Sequence, residues 1–200
     1  MFGGGFNKIK LQAGLRTAQQ RIKLVRSKRT NEIRAERKSV ADMVRAQTKK
    51  SGCPCRSKAV ARTRPAQLAT KAFDKARIRV ESVIRKQHEM AAEEILELMV
   101  ELLLERINLI STEKTMPADI SETVQTVIWA AARTQIEELR AVKEQLLLRY
   151  GPQIAKEEKG GGRHVNPDVE SRLVSTPPTE AEKLVEFEGI AAEYGVSGME

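Results

Sequence analysis

A long stretch with a single glycine and no proline constrains this chain more than any other feature. Residues 8–47 contain Gly14 as their one glycine. Their apolar residues recur every three or four positions, the spacing of one face of an α-helix. These residues are Leu11, Leu15, Ala18, Ile22, Val25, Ile33, Val40, Met43 and Val44. The pattern predicts a helix of about 40 residues, and therefore about 60 Å long.

A second long helix is predicted after it, although its first part resembles a strand. Residues 75–87, "KARIRVESVIRKQ", alternate apolar and charged side chains over a few positions. A helical period then persists from Ala76 to Leu103, which favours a helix over roughly 69–113. Neither long helix can bury its apolar stripe alone, so we expect a long antiparallel hairpin of the coiled-coil type.

The rest of the chain also reads as helical. Shorter helices are predicted over 117–132 and 134–150, which would complete a helical core over 8–150. Residues 151–178 are expected to form a linker that can hold a short helix, with a glycine-rich part at 157–164. The predicted fold class is all-α: the hairpin, two shorter packed helices and a C-terminal helix.

The C-terminal helix is predicted over 179–195. Thr179 and Glu182 have the spacing of a capping box and follow a double proline. Its apolar face is predicted to consist of these residues: Leu184, Phe187, Ala191 and Tyr194. We expect this face to dock back onto the hairpin and to be able to leave it.

Two segments do not fit the helical pattern. Residues 1–7 are glycine-rich and are expected to be flexible. Residues 45–67 combine glycine, two prolines and seven basic residues, which predicts a disordered basic loop. Its composition suits no fold, and it is either an insertion or, as we favour, untranslated sequence included through a gene-model error.

Charge is distributed very unevenly along the chain. Residues 1–79 hold 22 Lys and Arg against 4 Asp and Glu, a net charge of +18, whereas the remainder carries −10. This asymmetry indicates an anionic partner: an acidic protein, anionic lipid or nucleic acid. The basic assembly or membrane surface is predicted to consist of these residues of the first helix: Arg16, Lys23, Lys28, Arg29 and Arg37.

The residue types that catalysis and metal binding require are scarce. His88 and His164 are the two histidines, and neither lies in a Glu-x-x-His pair. Cys53 and Cys55 would supply at most half of a zinc site. We therefore expect no enzyme activity, no cofactor and no metal.

Non-specific binding to nucleic acid is the alternative function, because a basic helix attracts phosphate. The basic residues share their helix with a continuous apolar stripe instead of preceding a clean heptad zipper. Aromatic platforms for base stacking are also missing from the sequence pattern. A helical bundle with merely solvated charges would not explain the lopsided N-terminal charge.

Three stretches resemble a known family: "ARIRVESVIRK", "EEILELMVELLLERINLI" and "VIWAAART". They are similar to the increased-sodium-tolerance (Ist) proteins, the ESCRT-III-like regulators of the vacuolar sorting AAA ATPase. The likeness begins at "MFGGGF", runs to about Val44, and resumes from Leu68 to Tyr194. Relatives join the two long helices by a short turn where this chain has residues 45–67.

The resemblance implies a non-enzymatic ESCRT-III-like subunit that acts in multivesicular body sorting and membrane remodelling. Such a protein assembles with other ESCRT-III subunits, self-associates and regulates the disassembling ATPase. It is cytoplasmic and peripheral to anionic endosomal membranes. Relatives bind the ATPase through a proline-rich C-terminal tail, which these residues do not include, so the resemblance implies regulation of the ATPase without implying direct contact.

Overall fold

The fold is all-α, as the apolar periodicity predicts. The computed structural model describes residues 5–51, 65–156, 164–174 and 176–195. Within these segments the regular elements are helices α1 (Lys8–Ser51), α2 (Pro65–Glu105), α3 (Ile107–Thr112), α4 (Ala118–Ala130), α5 (Glu138–Tyr150), α6 (Gln153–Lys156), α7 (Pro167–Leu173) and α8 (Glu180–Tyr194).

The two long helices extend into the segment predicted as a basic loop. Helix α1 continues to Ser51 and α2 begins at Pro65, so the expectation of disorder over 45–67 was wrong at both ends. Residues 45–51 contain no glycine or proline to stop a helix, and proline suits the first helical turn. The remainder of that prediction, 52–64, lies outside the described residues.

The predicted second helix over 69–113 is interrupted. Helix α2 ends at Glu105, and Arg106 adopts φ −87° and ψ 9°, which lies outside the α-helical region. Helix α3 follows at once and buries Ile107 and Ile110. A single non-helical residue, Arg106, therefore separates two helices where the apolar periodicity predicts one continuous helix.

The chain forms two compact units, and α1 and α2 contribute to both. The first unit consists of Met1–Lys28 and His88–Ser175. Its core packs aliphatic side chains around Trp129, which is buried. Arg26 Nη1 donates to Glu97 Oε2 at 2.5 Å, and Lys8 Nζ donates to Asn108 Oδ1 at 2.6 Å. The earlier residue of α1 thus pairs with the later residue of the α2–α3 segment, so the two segments run antiparallel in this unit.

Hydrogen bonds join the start of α7 to side chains of α4 within the first unit. The backbone N–H of Asn166 donates to Thr126 Oγ1, and that of His164 donates to Gln125 Oε1, both at 2.9 Å. Asn166 also caps α7, and Val169 is fully buried. The predicted linker over 151–178 therefore includes a short helix that belongs to the core.

The second unit consists of Arg29–Gln87 and Thr176–Glu200. Its buried apolar residues come from α1, α2 and α8: Val40, Ala41, Ala76, Val80, Ile84 and Ile190. Lys86 Nζ bridges Glu36 at 2.8 Å and Glu32 at 3.1 Å, and Arg79 donates to Ser39. The order of these contacts shows that α1 and α2 also run antiparallel in this unit.

Over the described residues, each helix is too short or too polar to cross a bilayer.

Candidate functional site

The candidate site is the surface of the second unit on which α8 lies. The N-terminus of α8 is fixed locally: Thr179 Oγ1 accepts a hydrogen bond from the N–H of Glu182, and the Glu182 carboxylate accepts one from the N–H of Thr179. This confirms the predicted capping box. The helix ends at Tyr194, and the residue that caps it, Gly195, has a φ of 61°, which is left-handed and favours glycine.

The inward face of α8 is centred on Ile190, which is buried. Phe187 and Tyr194 pack beside it and are half-buried, as is Ala191. Leu184 was predicted to belong to this face, and that assignment was wrong, because 63% of its surface is exposed. The spacing 187, 190, 194 is itself helical and would have identified Ile190.

Arg37 joins α8 to α1. Its guanidinium lies 3.1 Å from Glu186 Oε1 and 2.8 Å from Glu193 Oε2. The side chain is only 22% exposed. The assignment of Arg37 to a basic outer surface was therefore wrong, since its charge faces α8.

Further polar contacts hold both ends of α8. Lys183 Nζ lies 3.2 Å from Glu81 Oε2, and the guanidinium of Arg77 pairs with Glu180. At the C-terminal end, Arg45 donates to the backbone carbonyl of Tyr194. Ion pairs thus surround a small apolar contact.

A cavity of about 220 Å³ lies at the N-terminal end of this contact. Its lining residues come from α2 and α8: Arg77, Val80, Glu180, Lys183, Leu184 and Phe187. Leu184 therefore lies at the mouth of a groove instead of under the helix.

The other predicted basic residues occupy different environments. Arg16 and Lys28 are exposed, and Arg29 is half-buried. Lys23 is largely exposed, with its Nζ 3.5 Å from Glu97 Oε1. Four of the five predicted residues are therefore not part of the α8 site.

The structure gives no candidate for a metal centre among the residues it describes, where no group of three His, Cys, Asp or Glu side chains converges. Cys53 and Cys55 lie outside the described residues.

The helical architecture is similar to that of a solved structure. The crystal structure of the Saccharomyces cerevisiae Ist1 N-terminal domain in complex with a Did2 MIM motif matches with a TM-score of 0.76 at 22% identity. The match covers 96% of this chain and 94% of the yeast chain. At that identity it supports the all-α fold alone.

Sequence comparisons identify the family. An IST1-like protein of Dictyostelium discoideum is 30% identical over 196 residues, which cover 98% of this chain. The chain spans about half of that relative's length, 47%. Residues 56–197 match the Ist1 family, described as regulators of Vps4 activity in the MVB pathway. The chain therefore belongs to the Ist1 family.

Proposed function

We propose that this chain is a non-enzymatic, ESCRT-III-like subunit that assembles with other ESCRT-III proteins. In this role it regulates the disassembling AAA ATPase during multivesicular body sorting and membrane remodelling. The observation that carries the proposal is the family match over residues 56–197. The all-α architecture is compatible with it, because packed helices supply extended surfaces for partners.

The proposed partner is the MIM segment of an ESCRT-III subunit. Support comes from the yeast Ist1 N-terminal domain, whose structure was solved with a Did2 MIM motif. We extend that binding to this chain as part of the proposal.

The proposed regulatory element is α8, acting as a reversible latch. Ile190 is its one buried residue within the described segments, so the apolar contribution to docking is small. One such side chain stabilises a contact by about 1.5–3 kcal/mol. The ion pairs of Arg37 and Lys183 add to this but weaken as salt rises. A partner with a few kcal/mol of differential affinity could therefore release the helix.

Two measurements test the proposed function. Fluorescence anisotropy with a labelled Did2 MIM peptide should show saturable binding to the purified chain. The steady-state ATP hydrolysis of Vps4 should change in rate when the chain is added. A chain that neither binds the peptide nor alters the ATPase rate would contradict the proposal.

A further inference from the structure

The residues directly before α8, 176–179, form neither helix nor strand. Thr176, Pro177 and Thr179 are exposed, and Pro178 is half-buried. Each proline fixes its own φ at about −65° and drives the residue before it into an extended conformation. Thr179 is extended as well, with φ −66° and ψ 157°. These constraints favour the backbone of a polyproline II helix over 176–179.

The two threonines of this segment have different environments. The hydroxyl of Thr179 accepts a hydrogen bond from the N–H of Glu182 at 3.3 Å and donates to Glu182 Oε2 at 3.0 Å. The N–H of Thr179 donates to the same carboxylate at 2.7 Å. Thr179 is thus engaged in the cap of α8, whereas Thr176 lies three positions before that cap and is exposed.

The two adjacent prolines are not explained by the start of a helix alone. The other prolines of the described segments stand where a helix begins: Pro65 opens α2, Pro117 caps α4, Pro152 precedes α6 and Pro167 opens α7. Proline is common at that position because its fixed φ suits the first turn. Pro177 lies three positions before Glu180, the first residue of α8, and therefore outside that turn.

Thr176 is the one serine or threonine of this sequence that proline follows directly. Kinases that act on such pairs bind an extended substrate and accept proline in a pocket that satisfies no backbone N–H, which proline lacks. The kinase transfers the γ-phosphoryl group of ATP to the threonine oxygen. A new P–O bond forms at Oγ1, the bond to the β-phosphate oxygen breaks and ADP leaves, and the hydroxyl proton passes to the catalytic aspartate of the kinase.

A phosphate at Thr176 would combine two recognition features in one short segment. It adds a charge of about −1.5 to −2 and several strong acceptor oxygens, which basic side chains bind. The prolines beside it present a polyproline II surface, which WW-type domains bind in an aromatic groove. Because the prolines already hold the segment extended, binding loses little conformational entropy.

We propose that Thr176 is the acceptor of a proline-directed kinase, and that the phosphorylated segment 176–178 binds a WW-type domain. That domain would hold the phosphate with basic side chains and Pro177 in its aromatic groove. The unphosphorylated segment lacks the charge and binds weakly. This site does not depend on binding a MIM segment, on regulating the ATPase or on the release of α8.

Phosphorylation of the purified chain tests the first part. The chain is incubated with ATP and the catalytic domain of a mitogen-activated protein kinase, and mass spectrometry should locate the phosphate on Thr176. Pro177→Ala should lower the initial rate at least about tenfold. Pro178→Ala is the matched control: it removes the other proline but keeps Pro177 after Thr176, and it should be phosphorylated like wild type. Equal rates in the two variants, or a phosphate on Thr179 and none on Thr176, would overturn the proposal.

Binding tests the second part, with a WW domain that recognises phosphothreonine followed by proline as the probe. Fluorescence anisotropy should show that phosphorylated wild type binds at least about tenfold more tightly than the unphosphorylated chain. Thr176→Val treated with the kinase should bind like the unphosphorylated chain, and circular dichroism should show every variant to be folded. If phosphorylation left the affinity of wild type unchanged, or raised that of Thr176→Val equally, the proposed recognition would be wrong.

Discussion

Arg37 shows how one residue can change role between sequence and structure. On a helical wheel it belongs to a basic face, because it lies off the apolar stripe of α1. In the structure its guanidinium pairs with Glu186 and Glu193 of α8. The sequence could not show this, since those carboxylates lie about 150 positions away and helical periodicity carries no information about such contacts.

Arg37→Gln should weaken the docking of α8 by about 1–2 kcal/mol, the range of charge-assisted contacts that are partly exposed. Hydrogen exchange of the amides in 180–194 should become faster, while exchange in α4 stays unchanged. Arg34→Gln is the matched control, because Arg34 is an exposed arginine on the same helix. Equal exchange rates in the two variants would mean that Arg37 does not hold the helix.

Lys86 makes the stability of the second unit depend on pH at the alkaline end. The hydrogen bond to Glu36 is the largest effect that raises the pKa of Lys86 above its ordinary value of 10.5, and Glu32 adds to it against the effect of burial. A raised pKa in the folded state means that folding favours the protonated amine. Its contribution is therefore complete below pH 10.5 and is lost as pH rises through the folded pKa.

The difference in unfolding free energy between wild type and Lys86→Met should thus be constant near neutral pH and should shrink above pH 10.5. Urea titrations followed by circular dichroism at several pH values measure it. In a Glu36→Gln background the shrinkage should be smaller, because the main partner has lost its charge. A difference that stays constant well above pH 10.5 would contradict the assignment.

At the scale of the element, α8 is tied to the second unit by few apolar atoms. Ile190→Asp should release it, because the variant buries an unpaired carboxylate that costs several kcal/mol. Leu184→Asp should leave it docked, since Leu184 is exposed.

Hydrogen exchange over 180–194 at low protein concentration distinguishes these two variants. Ile190→Asp should approach the exchange of an isolated helix, with most of the far-ultraviolet circular dichroism retained. If the latch proposal is correct, this variant should also assemble more readily with an ESCRT-III partner in a sedimentation assay. If Ile190→Asp releases α8 but the variant assembles no more readily than wild type, then α8 is a structural element and not an inhibitory one.

The apolar periodicity predicts which long helices form better than it predicts the residues at which they begin and end. The apolar stripe of α1 and the capping box of α8 follow from local spacing, and the structure confirms them. In α2 the stripe was predicted to include Leu98, and that was wrong, because Leu98 is 67% exposed while Leu96 and Val100 are buried. The interruption at Arg106 leaves no mark in the pattern, because a single residue with ψ near 0° hardly disturbs a 3.6-residue period. Helix α7 is short, and its position depends on Gln125 and Thr126 some 40 positions earlier.

The same limit applies to the candidate site. Three residues of the docking face lie at or beside the buried contact, but Leu184 and Ile190 exchange roles relative to the expectation. An amphipathic helix with apolar residues on two sides offers two choices of buried face, and its sequence alone does not select one. Selection comes from the ion pairs, which turn Lys183 and Glu186 towards α2 and α1.

For the whole molecule, the excess of positive charge in residues 1–79 still requires an explanation after the internal pairs are counted. Within this range, Arg26, Arg37 and Arg77 are neutralised by carboxylates of the same chain. Arg16, Lys38 and Arg34 are exposed on α1. We propose that these exposed cations bind acidic partner subunits and the anionic surface of endosomal membranes.

Arg16→Glu combined with Lys23→Glu should reduce binding to vesicles that contain phosphatidylserine. Each basic residue near an anionic surface contributes about 1 kcal/mol, so losing two contacts predicts a roughly thirtyfold weaker association, and repulsion adds to this. Flotation at low salt measures the bound fraction, and higher salt should reproduce the effect on wild type.

Lys114→Glu combined with Arg140→Glu is the matched control. Both residues are exposed and lie outside α1, and the two substitutions change the net charge by the same amount. If membrane attraction depended on net charge alone, both double variants would lose binding equally. Because we locate the attraction on α1, only the first should lose it, and equal losses would refute that location.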